Sequence, residues 1–159
     1  MNATDILRYG QGTALRAVEG LPEEDWTTGG VCGIWSVKGI IAHLASYEQV
    51  LAEVLTTVVD GAPTPYLDRF TDRSGNFNDT EVAAREGLSV ADTLGEFNEV
   101  HARVLTALAA LPADLLRQPG TIPWYGAEYA IDDLLVYAYY GHKREHSAQI
   151  AVFRDRIRR

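Results

Sequence analysis

Apolar residues recur at three- and four-residue steps along four long stretches of this chain, and no run of strict alternation breaks the pattern. That is the period of a helix burying one face, whereas a half-buried strand needs an apolar residue at every second position. The spacing predicts a first helix over residues 3–19, where Ile6, Leu7, Gly10, Ala14, Leu15, Ala17 and Val18 fall together. Pro22 ends it, and Gly29, Gly30 and Gly33 mark an irregular loop. Ser36 is placed to cap a second helix over 37–59, because its hydroxyl can accept an orphan amide of the first turn. The inward stripe of that helix is Ile40, His43, Leu44, Tyr47, Leu51, Val54 and Val58.

Residues 60–75 gather Gly61, Pro63 and Pro65 among polar neighbours and read as a long connection, with a short helix after it over 78–86. Ser89 and Asp92 resemble a capping box, with Asp where Glu or Gln is usual. A third long helix follows, carrying Leu94, Phe97, His101, Leu105, Leu108 and Leu111 up to Pro112. A second irregular stretch over 118–128 holds Trp124 and Tyr125. A last helix over 129–157 presents Ile131, Leu135, Ala138, His142, His146, Gln149 and Phe153. The expected fold is all-α: a four-helix bundle with two long connections, in one domain over 1–159, whose topology need not be simple up-and-down.

Charge narrows the partners. Fourteen Lys and Arg stand against twenty-two Asp and Glu, a net charge of -8. Such a surface repels phosphate backbones and anionic lipid, so neither nucleic acid nor membrane is expected as a partner. No apolar run approaches the ~18 residues of a membrane span. The opening MNATDILRYG has no basic segment followed by an apolar one, so it does not read as a signal peptide, and a cytoplasmic location is expected. Cys32, being alone, cannot form an internal disulfide; it is expected as a small buried side chain, the alternative being a place at the mouth of a pocket.

All four histidines, His43, His101, His142 and His146, fall on apolar stripes. An inward imidazole still needs partners for its ring nitrogens, and packing alone does not call for four of them. His142 and His146 stand at i and i+4 in HKREH, so both rings leave one helix face a turn apart and can share a metal ion. A third nitrogen from a facing helix would complete a three-histidine site; His43 is the first candidate and His101 its competitor. HKREH also fits the inverted zinc-peptidase pattern HxxEH, but the carboxylate ligand such peptidases need downstream is missing. Glu145 is kept as a base or as a partner of a ligand.

The stretch GIWSVKGIIAHLASYEQVL, with Trp35, Ser36, Val37, Lys38 and His43, resembles the second-helix signature of the DinB/YfiT-like superfamily. GHKREHSAQI resembles its last-helix HxxxH segment, down to Ala148, Gln149 and Ile150, and PADLLRQPGTIPWYG resembles the connection before it. Gly39-Ile40 departs from the acidic residue many relatives carry after the Lys, without touching a ligand. The resemblance implies a four-helix bundle, commonly dimeric, with a metal triad of one His from the second helix and two from the last, which maps onto His43, His142 and His146.

It also implies function classes. Characterised relatives include metal-dependent transferases that use a low-molecular-weight thiol, and a thiol-dependent isomerase; a divalent metal would lower the pKa of a bound thiol in a partly apolar pocket. The expected cofactor is a divalent ion, Zn or Ni first, with Fe, Mn or Cu open. The expected partners are a small electrophile, a small thiol and a second copy of the chain. The competing readings are hydrolysis, sequestration of a small molecule without turnover, and metal-free resistance chemistry. Trp35, Tyr47, Trp124, Tyr125 and Tyr140 are the aromatic candidates for pocket walls.

Overall fold

The computed structural model describes residues 2–158, and four long helices dominate it. Asn2 caps α1 (Ala3–Val18), its side chain accepting from Asp5 N. A short α2 (Glu23–Trp26) follows, and Trp26 is buried with its indole N–H on Leu21 O. As its hydroxyl chemistry required, Ser36 accepts from Gly39 N at 3.1 Å and starts α3 (Val37–Asp60). Such a cap stabilises a helix by about 1 kcal/mol. Gly61 closes α3 at φ +64°, a left-handed turn that a side chain would strain.

The stretch read as connection over 60–75 contains a helix of its own, α4 (Pro65–Thr71). Its two carboxylate contacts explain it: Glu53 of α3 accepts from Tyr66 N at 3.1 Å and Leu67 N at 2.7 Å, capping α4 from a distant part of the chain. A long-range cap of that kind leaves no local signature. Then come α5 (Phe77–Ala84) and α6 (Val90–Ala109), the latter capped by Ser89 with Asp92 N as donor at 3.0 Å. Arg85, almost fully buried, ties these pieces together: it reaches Glu81 at 2.7 Å, Glu96 of α6 at 2.8 Å and the Tyr66 hydroxyl at 3.1 Å.

A 3-10 turn (Ala113–Arg117) leads on from α6. The last helix is continuous over 131–157 but not uniform. It comprises α7 (Ile131–Leu134), a π-helical segment (Leu135–Gly141) and α8 (His142–Ile157). A π turn absorbs an extra residue and rotates everything after it by about 100°. The buried positions move accordingly. At the start of the helix they are Ile131, Leu134 and Leu135; from within the π segment onward they are Tyr139, Lys143, His146, Ser147, Ile150 and Phe153, so Ala138, His142 and Gln149 slide to the edge of the face while the expected His146 and Phe153 stay on it.

Contacts set the topology. Arg154 donates to Ala17 O and Glu19 O while Lys143 meets Gln11, so α1 and α8 run in the same direction. Phe97 packs with Ile40, Ile41 and Leu44, and Val104 and Leu108 with Leu51, Val54 and Leu55, so α3 and α6 also run in one direction, opposite to the first pair. The order is up-down-down-up, and the crossover between α3 and α6 is the segment carrying α4 and α5. No strand occurs among the described residues; Cys32 and Trp35 form an isolated antiparallel bridge. None of the described helices is long and apolar enough to cross a membrane.

Candidate metal centre

His43 projects from the second turn of α3, and His142 and His146 from the first two turns of α8. His43 and His146 are buried at 2% and 6% exposure, and His142 is half-buried. Three Nε2 atoms converge: His43 to His142 at 3.0 Å and His146 to His142 at 2.9 Å. Each of the three rings offers one nitrogen, and these lie within 4.8 Å of one another.

The protonation chemistry makes this convergence informative. Burial first, then its two neighbouring imidazoles, bring His43 down to about 3; burial, then His146 and Lys143, bring His142 to about 4. His146 is lowered too, burial outweighing the opposing pull of Gln149 and Glu145. All three rings are therefore neutral at pH 7. Gln149 Oε1 lies 2.8 Å from His146 Nδ1. A carbonyl oxygen accepts, so Nδ1 carries the proton and Nε2 presents a bare lone pair to the cluster. Inward lone pairs about 3 Å apart repel unless a proton or a cation lies between them. Two nitrogens bound to one ion at about 2.0–2.1 Å stand at similar separations. The donor set fits a divalent metal, with Gln149 in the orienting position that metal-bound histidines commonly require.

Aromatic rings wall the centre. Trp35 lies 4.8 Å from the His43 ring, and Tyr47 lies 4.7 Å from both His43 and His142. Phe70 of α4 and Phe77 of α5 pack on Tyr47, and Trp124 on Phe70, so both long connections reach this side. Of the other aromatic candidates, Tyr125 packs on Tyr129, and Tyr140 lies under the Arg144 guanidinium, away from the histidines. A cavity of about 580 Å³ opens on the flank of Trp35, bounded by Ile34, Lys38, Ala42, Asp79 and Val82.

His101 is outside the cluster. It is buried on α6, and its Nδ1 faces Glu48 Oε2 at 3.4 Å. Glu145 is exposed on the outer side of α8; the ring partner of His146 is Gln149, one turn further on. Cys32 is partly buried against the core packed around Trp26 and Val37.

The sequence reading missed a buried polar network beside the histidines. Glu48 is 0% exposed and Lys143 2%, and Lys143 Nζ meets Glu48 Oε1 at 2.6 Å and Gln11 Oε1 at 3.0 Å. Gln11 donates in turn to Asn98 Oδ1 at 3.1 Å. Burial alone would raise the Glu48 carboxyl, but Lys143 and His101 outweigh it and hold it below the usual range. A signal was present: Glu48 stands four residues after Leu44 and three before Leu51, and Lys143 three before His146, all on buried faces.

Fold and site together define a helical-bundle protein with a buried three-histidine cluster able to hold a metal ion. The chain belongs to the DinB superfamily, whose family model matches residues 6–150. Among solved structures it is similar to the mycothiol-dependent maleylpyruvate isomerase, at 15% identity with a TM-score of 0.74. A histidine-to-alanine mutant of that isomerase matches at 14% identity and the same TM-score. Each match covers 93% of this chain and 59% of the isomerase chain, so this chain spans about three-fifths of those enzymes' length. At such identities the likeness carries the fold. No curated protein matches the chain in sequence.

Proposed function

We propose that this protein is a divalent-metal-dependent transferase that joins a low-molecular-weight thiol to a small electrophile, with His43, His142 and His146 as the ligands and Zn or Ni as the metal. The observation that carries the reading is the convergence of three neutral Nε2 atoms in an aromatic-walled site. Support for the thiol comes from the fold likeness to an isomerase described as mycothiol-dependent. When bound, a divalent ion supplies Lewis acidity that favours thiolate near neutral pH.

The chain's own residues do the rest. The imidazoles bind without having to lose protons, because they are neutral in the folded state. Gln149 orients His146 through Nδ1. Trp35, Tyr47, Phe70 and Phe77 exclude water and lower the local dielectric, which strengthens every charge interaction inside. Glu145, exposed on the outer side of α8, acts in this reading as a partner of a ligand, through its charge on the neighbouring His146 ring, and not as a base at the centre itself.

Elemental analysis of untagged protein, followed by a panel pairing small thiols with electrophiles, tests the proposal. One metal per chain and turnover requiring both metal and thiol are expected. Turnover that persists in strong chelator would overturn it.

A further inference from the structure

The two ligand-bearing helices meet through polar groups, and one of those contacts is a fully buried ion pair. Lys143 follows His142 directly, and Glu48 lies five residues after His43. Their 2.6 Å contact is the centre of a network to which each of the four long helices contributes: Gln11 from α1, Glu48 from α3, His101 from α6 and Lys143 from α8. The Lys143 ammonium also sits 5.3 Å over the Phe97 ring. One turn earlier, the Tyr139 hydroxyl donates to Tyr47 O at 3.0 Å.

Such a pair is a weak source of net stability, since desolvating two charges offsets most of their attraction. What it supplies is direction. The π segment ends at Gly141, immediately before His142, and a π turn is where a helix can change register at least cost. Without a fixed point after it, α8 could turn about its axis, and a rotation of one residue, about 100°, would carry His142 and His146 away from His43. Lys143 is the fixed point nearest the ligands, two turns or more before the Arg154 contacts with Ala17 O and Glu19 O, because its ammonium has to stay on Glu48 or be left buried and uncompensated.

We infer that Glu48 and Lys143 are positioning residues of the three-histidine centre: their ion pair sets the rotation and register of α8 on α3 and so the geometry offered to a metal. The bearing on function rests on the metal-centre reading above, while the positioning of the rings does not.

The test compares wild type with Glu48→Gln, Lys143→Met and the double variant. In metal-free protein, long-range proton–nitrogen spectra report each imidazole; Glu48→Gln is expected to shift the His142 and His146 ring signals. Zn²⁺ affinity by chelator competition is expected to fall about 10- to 100-fold, with an altered ligand-field spectrum of the Co²⁺ form. The double variant, which leaves no uncompensated charge, is expected to regain the melting temperature lost by the single variants but not the ring signals or the affinity. Unchanged ring signals in Glu48→Gln, or recovery of both stability and ring geometry in the double variant, would overturn the inference. Wild type that binds no metal would instead remove the metal-centre reading, and the ring spectra would still decide the positioning.

Discussion

Gln149 Oε1 sits 2.8 Å from His146 Nδ1, and that contact decides which nitrogen of His146 is free. The carbonyl fixes the proton on Nδ1, so Nε2 faces His142 as a lone pair. Gln149→Leu removes the acceptor while keeping much of the bulk. Metal affinity is expected to drop about 10- to 100-fold, with little change in the fold. Chelator competition measures it, and equal affinity in both proteins would contradict the role given to Gln149.

Removing a ligand should do more. His43→Ala, His142→Ala and His146→Ala are each expected to lower metal content well below one per chain. Metal bound only by the folded protein stabilises it by about 4 kcal/mol at 1,000 times its Kd. Wild type should therefore melt at a higher temperature with metal and the three variants should not. Equal loading of variants and wild type, read by elemental analysis, would reject these ligands.

Acid should weaken the metal-free protein. In the unfolded chain the imidazoles titrate near 6.5, while His43 and His142 titrate at about 3 and 4 in the fold. Between these values the unfolded chain binds more protons, so stability rises with pH there. The contribution is complete above about 6.5 and declines as pH falls toward 4. Melting temperatures of chelator-treated protein should drop from about pH 7 to about pH 5. A flat profile would mean that the rings charge freely in the fold.

Cys32 is expected to be dispensable. Its backbone bridges Trp35, and its thiol makes no contact with a base among the described residues. Cys32→Ser should keep metal content and thiol-dependent turnover. Loss of turnover with full metal loading would make Cys32 the nucleophile in place of an external thiol.

A homodimer is the expected assembly. Tyr137 and Val152 are 66% and 51% exposed on the last helix, more apolar surface than a helix edge needs. Tyr139, on the same helix, is buried, with its hydroxyl on Tyr47 O. Light scattering should give twice the 17.5 kDa chain mass. A monomer at micromolar concentration would reject the expectation.

Much of this was legible in the order of residues. Helical period, Ser36 and Ser89 as caps, and the i, i+4 spacing of His142 and His146 are local properties, governed by interactions within a few residues, so reading along the chain finds them. The third ligand was narrowed to His43 or His101 but not decided by spacing, because the choice depends on which faces of α3 and α6 meet α8. Tertiary structure alone decided three further features. Glu53 caps α4 across the crossover, a contact between residues thirteen and fourteen positions apart. The π segment ending at Gly141 moves Ala138, His142 and Gln149 off the buried stripe, and nothing in LVYAYYG marks where a helix widens. The spacing of Glu48 from Leu44 and Leu51, and of Lys143 from His146, hints that both face inward, but their pairing is decided only when α1, α3, α6 and α8 close around them; a charge can be buried only where its partner is also present, and that partner comes from another helix.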